Sequence, residues 1–505
     1  SLYANTTASY NTAVGMESLR YNTTGANNVA VGRTALYANT TGADNVSVGT
    51  GALDSNTTGN YNTAVGRLAL DSNTTASYNT TVGYLASRFN TTGANNTTTG
   101  AYALYNNTTA SNNTATGFAS LYSNTTGANN TAVGFETMNA NTTGANNTAS
   151  GFEALKANTT GASNVAVGRQ ALLLNTTASS NTGIGHQALT ANTTGADNTS
   201  VGAAALTSNT TGSNNTTVGR SAMINNSTGG NVTAVGHEAL KANTTASWNV
   251  GIGFEALKAN TTGTYNTSTG SRALATATTA SSNTAHGYEA LRYTTTGGGN
   301  TAIGNGAGRY ITTAETNIMI GEWAGAYSTS TTTGAQNIVI GAYAHLPATD
   351  SQGIVIGYNV NGSAGTTTIG FTGNDIRTSH GSTSWATVSD ERYKKDITTS
   401  TAGLSFVNAL RPVTWNYRTK GELPTTFDSY EEGSTEVFKN TQTNHGFIAQ
   451  EVKAAIDAES ALKDGFVMWN DTRPDGSQEV AEAALIPILV KAIQELTARL
   501  EILEG

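Results

Sequence analysis

The chain has no cysteine, which excludes disulfides and thiolate metal sites. Charge is scarce as well: only 11% of the 505 residues are charged and 37% hydrophobic, too little of either for an ordinary packed core over most of the length. Of 33 acids and 25 bases, 19 and 12 fall in residues 389–505, leaving 14 and 13 for residues 1–388, a nearly neutral stretch. No Lys/Arg cluster occurs before Arg392, which argues against nucleic acid or an anionic membrane as partner. No apolar run approaches the roughly 20 residues that span a bilayer, so membrane insertion is not expected. The opening Ser-Leu-Tyr-Ala-Asn lacks a signal peptide's basic and apolar regions. It starts in mid-repeat without methionine, which reads as a fragment.

Asparagine, threonine, glycine and alanine fill the gap, and such a chain is either disordered or ordered by repetition. Repetition prevails. The motif NTTGANNTAVGxEALxA recurs every 17 residues (Asn5, Asn22, Asn39, Asn56), and eighteen whole steps lead from Asn5 to Ile311. Fixed spacing marks a solenoid or stacked fibre. One column is always glycine, from Gly15 and Gly32 to Gly321, which requires either a positive φ or a backbone approach too close for a Cβ. A β-branched column precedes it (Val14, Val31, Val48) and a leucine column follows it (Leu19, Leu36, Leu53); these two are expected to form the apolar core. An asparagine column (Asn11, Asn28, Asn45), interrupted at Val232, is expected to exchange side-chain amide hydrogen bonds between coils. NTAVG reads as a short strand and NTTG as a turn. The predicted class is mainly β, a repetitive β-solenoid or β-roll shaft over 1–321 followed by a small α+β domain with C-terminal helices. So thin a core predicts several chains associated along the rod.

After Gly321 the spacing becomes 20, 16 and 13, and aromatics concentrate at Trp323, Tyr327, Tyr343, Tyr358 and Trp385. Residues 322–372 are therefore a candidate receptor-binding tip, or aromatics filling a wider core between chains. Residues 373–388 read as a linker. At the chain's end Ile486, Leu489, Ile493, Leu496, Leu500 and Leu503 follow a 3-4-3-4-3 heptad spacing. That pattern suits a helical bundle between chains, or an amphipathic helix packed on its own domain.

Residues 389–505 contain SDERYKKDI (389–397), LRPVTWNYR (410–418), HGFIAQEV (445–452) and LIPILVKAIQEL (485–496). In these four motifs, and in their order, the segment resembles the intramolecular chaperone domain of phage endosialidases, tail fibres and neck appendages, found also in the myelin regulatory factor of animals. The shaft resembles repeats of marine phage tail fibres and the β-roll heads of trimeric adhesins. The resemblance implies a homotrimer and a self-cleaving Ser-Lys dyad, here Ser389 and Lys394, cutting the Val388–Ser389 bond; Lys395 is a reserve candidate. The lysine must be neutral to act as base, so burial is expected to lower its pKa. Ser389 could instead cap a helix. His445 is assigned to folding or trimer contact along with Ile486, Leu489, Ile493, Leu496 and Leu500.

The expected function is a structural, receptor-binding virion fibre, assembled in the host cytoplasm, joined to an upstream virion attachment protein and binding a host-surface glycan or protein. Apart from autoproteolysis no enzyme activity is expected, nor any cofactor or metal. The alternatives are a polysaccharide-degrading tailspike and a cellular adhesin or extracellular filament. A glutamate column (Glu17, Glu136, Glu153, Glu238, Glu255, Glu289) reads as a solvated position rather than the paired acids of a glycosidase. The N-x-T sequons read as ladder and turn residues rather than as glycosylation sites.

Overall fold

The computed structural model describes the chain except residues 1, 327–332, 383–385, 388, 390, 464–465, 474 and 505. The chain divides into two compact units, Ser1–Val388 and Ser389–Gly505.

The first unit is a β-solenoid of about 21 turns. Each regular coil contributes one three-residue strand, from Thr12–Val14 onwards, paired in parallel with the strand 17 residues on, Thr12 opposite Val29 and Val14 opposite Val31. Because side chains alternate along a strand, only the middle residue of three points inward. It is small: Ala30, Ala64, Ala115 and Ala166 are fully buried. The valine column points outward, with Val14 58% and Val82 and Val133 40% exposed, so the expectation that it forms half of the core is corrected. The core is the leucine column packed on two alanine columns, such as Ala35 and Leu36, with Ala30 from the strand.

Backbone conformation separates leucine from the β-branched residues. Leu19, Leu36 and Leu155 have φ of 49°, 52° and 53°, and their column otherwise holds Met138, Met223, Ser87, Gly308 and Gly325. A left-handed residue costs about 1–2 kcal/mol, most for β-branched side chains, while burying a leucine returns about 1.5–3 kcal/mol. The glycine column meets both conditions expected of it. Gly168 has φ +129°, and a Cβ there would lie 2.6 Å from the carbonyl oxygen of Gly185. Ser87, in a leucine position, divides the apolar core into two clusters, which stop at Leu70 and resume at Ala103; its hydroxyl is 2.9 Å from that of Thr98.

Losing the 17-residue spacing does not end the solenoid. Ile318 pairs with Ile338, Ile338 with Ile354 and Ile354 with Thr367, all in parallel. The ladder then reverses: Asn374–Ser379 pairs antiparallel with Thr366–Phe371, and Ala386–Thr387 with Asn374–Ser379. Residues 373–388, read from sequence as a linker, thus contain two strands, the first entered through a turn with Gly373 at φ +80°.

Among its described residues the second unit has three α-helices, α1 (Leu404–Ala409), α2 (Ala449–Ala458) and α3 (Ile486–Glu504), and two small antiparallel sheets, Val413–Trp415 with Asn444–Gly446 and Trp469–Asn470 with Glu479–Val480. Phe406, Val452, Ile456, Met468, Leu485 and Ile488 form its core. On α3, Ile488 and Ala492 are 4% exposed, and Glu495 accepts a hydrogen bond from the Leu404 N–H at the start of α1, at 2.9 Å. The heptad residues occupy a different face. Ile486 and Ile493 are 61% exposed and Leu500 56%, so the stripe is not what packs α3 onto its own unit.

Candidate functional site

Ser389 opens the second unit, and the single helical turn Glu391–Tyr393 brings Lys394 back toward it. The Lys394 N–H donates to the Glu391 carbonyl at 2.9 Å, and Lys394 Nζ lies 2.8 Å from Ser389 Oγ. A five-residue spacing becomes a hydrogen-bonded hydroxyl–amine pair because that turn closes the separation. Val388, on the other side of the expected scissile bond, lies outside the described residues. In the single chain Ser389 and Lys394 are both exposed, so the burial expected for Lys394 is absent. The pair has the reach of a nucleophile and its base without the desolvation that favours a neutral amine.

The other motifs converge around their own contacts. Thr414 of LRPVTWNYR pairs with His445 of HGFIAQEV. Arg411 grips Glu451 through two guanidinium nitrogens, Nε at 3.0 Å and Nη2 more closely, and this holds the Glu451 carboxyl below its ordinary pKa. His445 is exposed at the strand pair.

The described candidate receptor residues, Trp323, Tyr343 and Tyr358, do not gather into one site. Tyr343 meets Tyr358 edge-on at 6.0 Å, and Tyr358 stacks on Phe371 at 5.3 Å, a short outward column on successive coils. Trp323 is instead half-buried beneath the Arg309 guanidinium, 5.2 Å from its ring centre. Tyr327 and Trp385 lie outside the described residues.

The glutamate column is clamped rather than simply solvated. Lys156 bridges Glu136 and Glu153, and Lys258 bridges Glu238 and Glu255, at 2.6–2.8 Å. Hydrogen bonds from Lys241 and Lys258 pull Glu238 down to about 2. Glu289, 2% exposed, is held by Arg292 and by Arg309 at 2.7 Å, with Arg272 at 3.9 Å. Sequence reasoning missed this buried carboxylate; the 17-residue step from Arg292 to Arg309 was its signal. Glu136, Glu238, Glu255 and Glu289 are tied to cations of a neighbouring coil and Glu17 and Glu153 to a cation three residues on, an arrangement unlike two carboxylates facing each other across a substrate cleft.

The asparagines of the NTT sequons are committed to structure, with Asn22, Asn39 and Asn141 fully buried, whereas Asn95, Asn129 and Asn146, which open N-N-T sequons, are exposed. Among the described residues no helix is long and apolar enough to cross a membrane.

Residues 389–460 match the family model of the chaperone of endosialidase. No curated protein matches the chain. The chain therefore joins a C-terminal chaperone of this type to a β-solenoid.

Proposed function

We propose that this chain, of phage tail-fibre or tailspike type by its solenoid and C-terminal chaperone of endosialidase, is a homotrimeric host-attachment fibre that removes its own chaperone. The observation that carries the reading is the 2.8 Å approach of Lys394 Nζ to Ser389 Oγ inside the family-matched segment. The bond before Ser389 coincides with the division between the two compact units, so cutting there would release each of them whole. The outward heptad stripe of α3 supports association between chains. Its partners would be two further copies, an upstream virion attachment protein and a host-surface glycan or protein. The shaft flank and the aromatic column at Tyr343 and Tyr358 are the candidate contacts for that receptor. The place of action is the virion, after assembly in the host cytoplasm.

In the proposed reaction Ser389 Oγ adds to the Val388 carbonyl carbon while neutral Lys394 takes the hydroxyl proton. The peptide C–N bond then breaks, and the Ser389 nitrogen receives the proton from Lys394. Water hydrolyses the resulting Val388–Ser389 ester, restoring the hydroxyl. Because Lys394 is exposed in one chain, burial by neighbouring copies would supply the neutral amine, which makes cutting depend on assembly.

A denaturing gel of freshly folded protein tests this. The 505-residue chain should give fragments of 388 and 117 residues, more slowly at lower pH, where the amine stays protonated. Ser389→Ala and Lys394→Ala should remain whole and trimeric by solution mass, while Lys395→Ala still cuts. A single full-length band unchanged over days at neutral pH would overturn self-cleavage, and a stable monomer would overturn the fibre reading.

A further inference from the structure

We infer that the outward face of the solenoid strands is the surface on which copies of this chain pack against one another along the shaft. The inference rests on the trimeric reading above and names the shaft's share of the interface.

The observation is an apolar column where a solvated surface calls for polar residues. The third strand position is Val or Ile in every parallel strand except at Thr99, Thr116, Ser150, Thr269 and His286. These side chains point away from the unit's own core and remain 37–40% exposed at Val133, Ile184, Val218, Ile303 and Ile356. Threonine has comparable strand propensity and dominates the first strand position, so propensity alone does not select valine and isoleucine at the third. Neither position holds an Asp, Glu, Lys or Arg in any parallel strand, and His286 is the one titratable group. Two residues beyond the valine, by contrast, the chain places Arg33, Arg67, Arg169 and Arg220.

Scale argues for a large partner. The Val and Ile positions, at roughly 60 Å² each, present on the order of 1,000 Å² of apolar surface along the stack, in runs broken at Thr99, Thr116, Ser150, Thr269 and His286, comparable in sum to the roughly 800 Å² per partner of a stable interface. Periodicity identifies that partner. Whatever covers the column must be uncharged and must repeat at the axial rise of one coil for the whole length of the unit. A parallel second copy does so, coil against coil, since its own column has the same rise, composition and lack of charge.

The absence of cysteine allows a clean test in the full-length chain. Thr216→Cys, Val218→Cys and the double variant are oxidised and run on non-reducing gels. Ser208→Cys, exposed but outside the strand, serves as control. If the faces meet, the double variant and at least one single variant form interchain disulfides, which need Cα atoms within about 7 Å, and Ser208→Cys does not. Trimeric mass without cross-linking of any strand variant, or cross-linking of Ser208→Cys to the same extent, would overturn the inference and leave the fibre reading standing. A monomeric mass would remove both.

Discussion

A single asparagine shows how this chain replaces a conventional core with saturated polar contacts. Asn141 Nδ2 donates to Asn124 Oδ1 at 2.8 Å and to the Gly144 carbonyl at 2.9 Å, while its Oδ1 accepts from Asn158 at 2.7 Å. The ladder runs from Asn5 to Asn260 and stops where Ala277 takes the next place, leaving Asn260 Oδ1 buried without a partner. In the asparagine column singled out from sequence the expected side-chain exchange occurs at several steps, as from Asn45 Nδ2 to Asn28 Oδ1 at 3.1 Å, but backbone groups carry more of the bonding: Asn11 Oδ1 accepts the Asn28 backbone N–H at 2.9 Å, and Asn28 Nδ2 reaches the Gly42 carbonyl. Its repetition was legible, but its hydrogen-bond partners depend on where each side chain points. Leaving a buried group unpaired costs about 1–3 kcal/mol. Asn141→Ala should therefore lower the denaturation midpoint more than Asn260→Ala, by roughly 1 kcal/mol or more; equal losses would mean that the ladder contributes nothing beyond its separate amides.

At the scale of one coil, backbone conformation decides which residue type each position accepts. Gly168→Val would place a β-branched residue at φ +129° with its Cβ against the Gly185 carbonyl, and a loss above about 4 kcal/mol is expected from strain and steric overlap together. Glu153→Ala removes a partly exposed ion pair with Lys156 and should cost no more than about 1 kcal/mol. Melting temperatures of the two variants distinguish these outcomes, and equal values would contradict the role given to the column. Sequence columns identified the glycine requirement because 17-residue repetition samples one environment many times. They left the left-handed leucines unseen, since leucine, unlike glycine, carries no conformational signature.

For the solenoid, stability is expected to add coil by coil through nearest neighbours, whereas the proposed association would use surfaces that the single chain leaves open. On α3 the two roles occupy separate faces. Ile493, 61% exposed, belongs to the open stripe, and Ile488, 4% exposed, to the unit's core. Ile493→Glu should lower the solution mass from trimer toward monomer while leaving the far-ultraviolet circular dichroism intact. Ile488→Glu should unfold the second unit, because it buries an unpaired charge. If Ile493→Glu leaves the mass unchanged, the stripe is not an association surface.

From the sequence alone came the coil period, the glycine column, the β class and the four C-terminal motifs, because each is either repeated along one chain or carried by residues close together in it. Tertiary structure decided which side of each strand is inside. A period of 17 states that every valine shares one environment, but not whether that environment is core or surface; this depends on the direction in which the coil closes, and it turned Val14 and its equivalents outward. Coil closure also carried the solenoid past the broken spacing after Gly321, because parallel pairing joins strands across loops of unequal length. At the candidate dyad the spacing of Ser389 and Lys394 was legible, and their 2.8 Å contact follows from one helical turn. The exposure of Lys394 was not legible, because desolvation depends on what surrounds a side chain in space rather than on its neighbours in sequence.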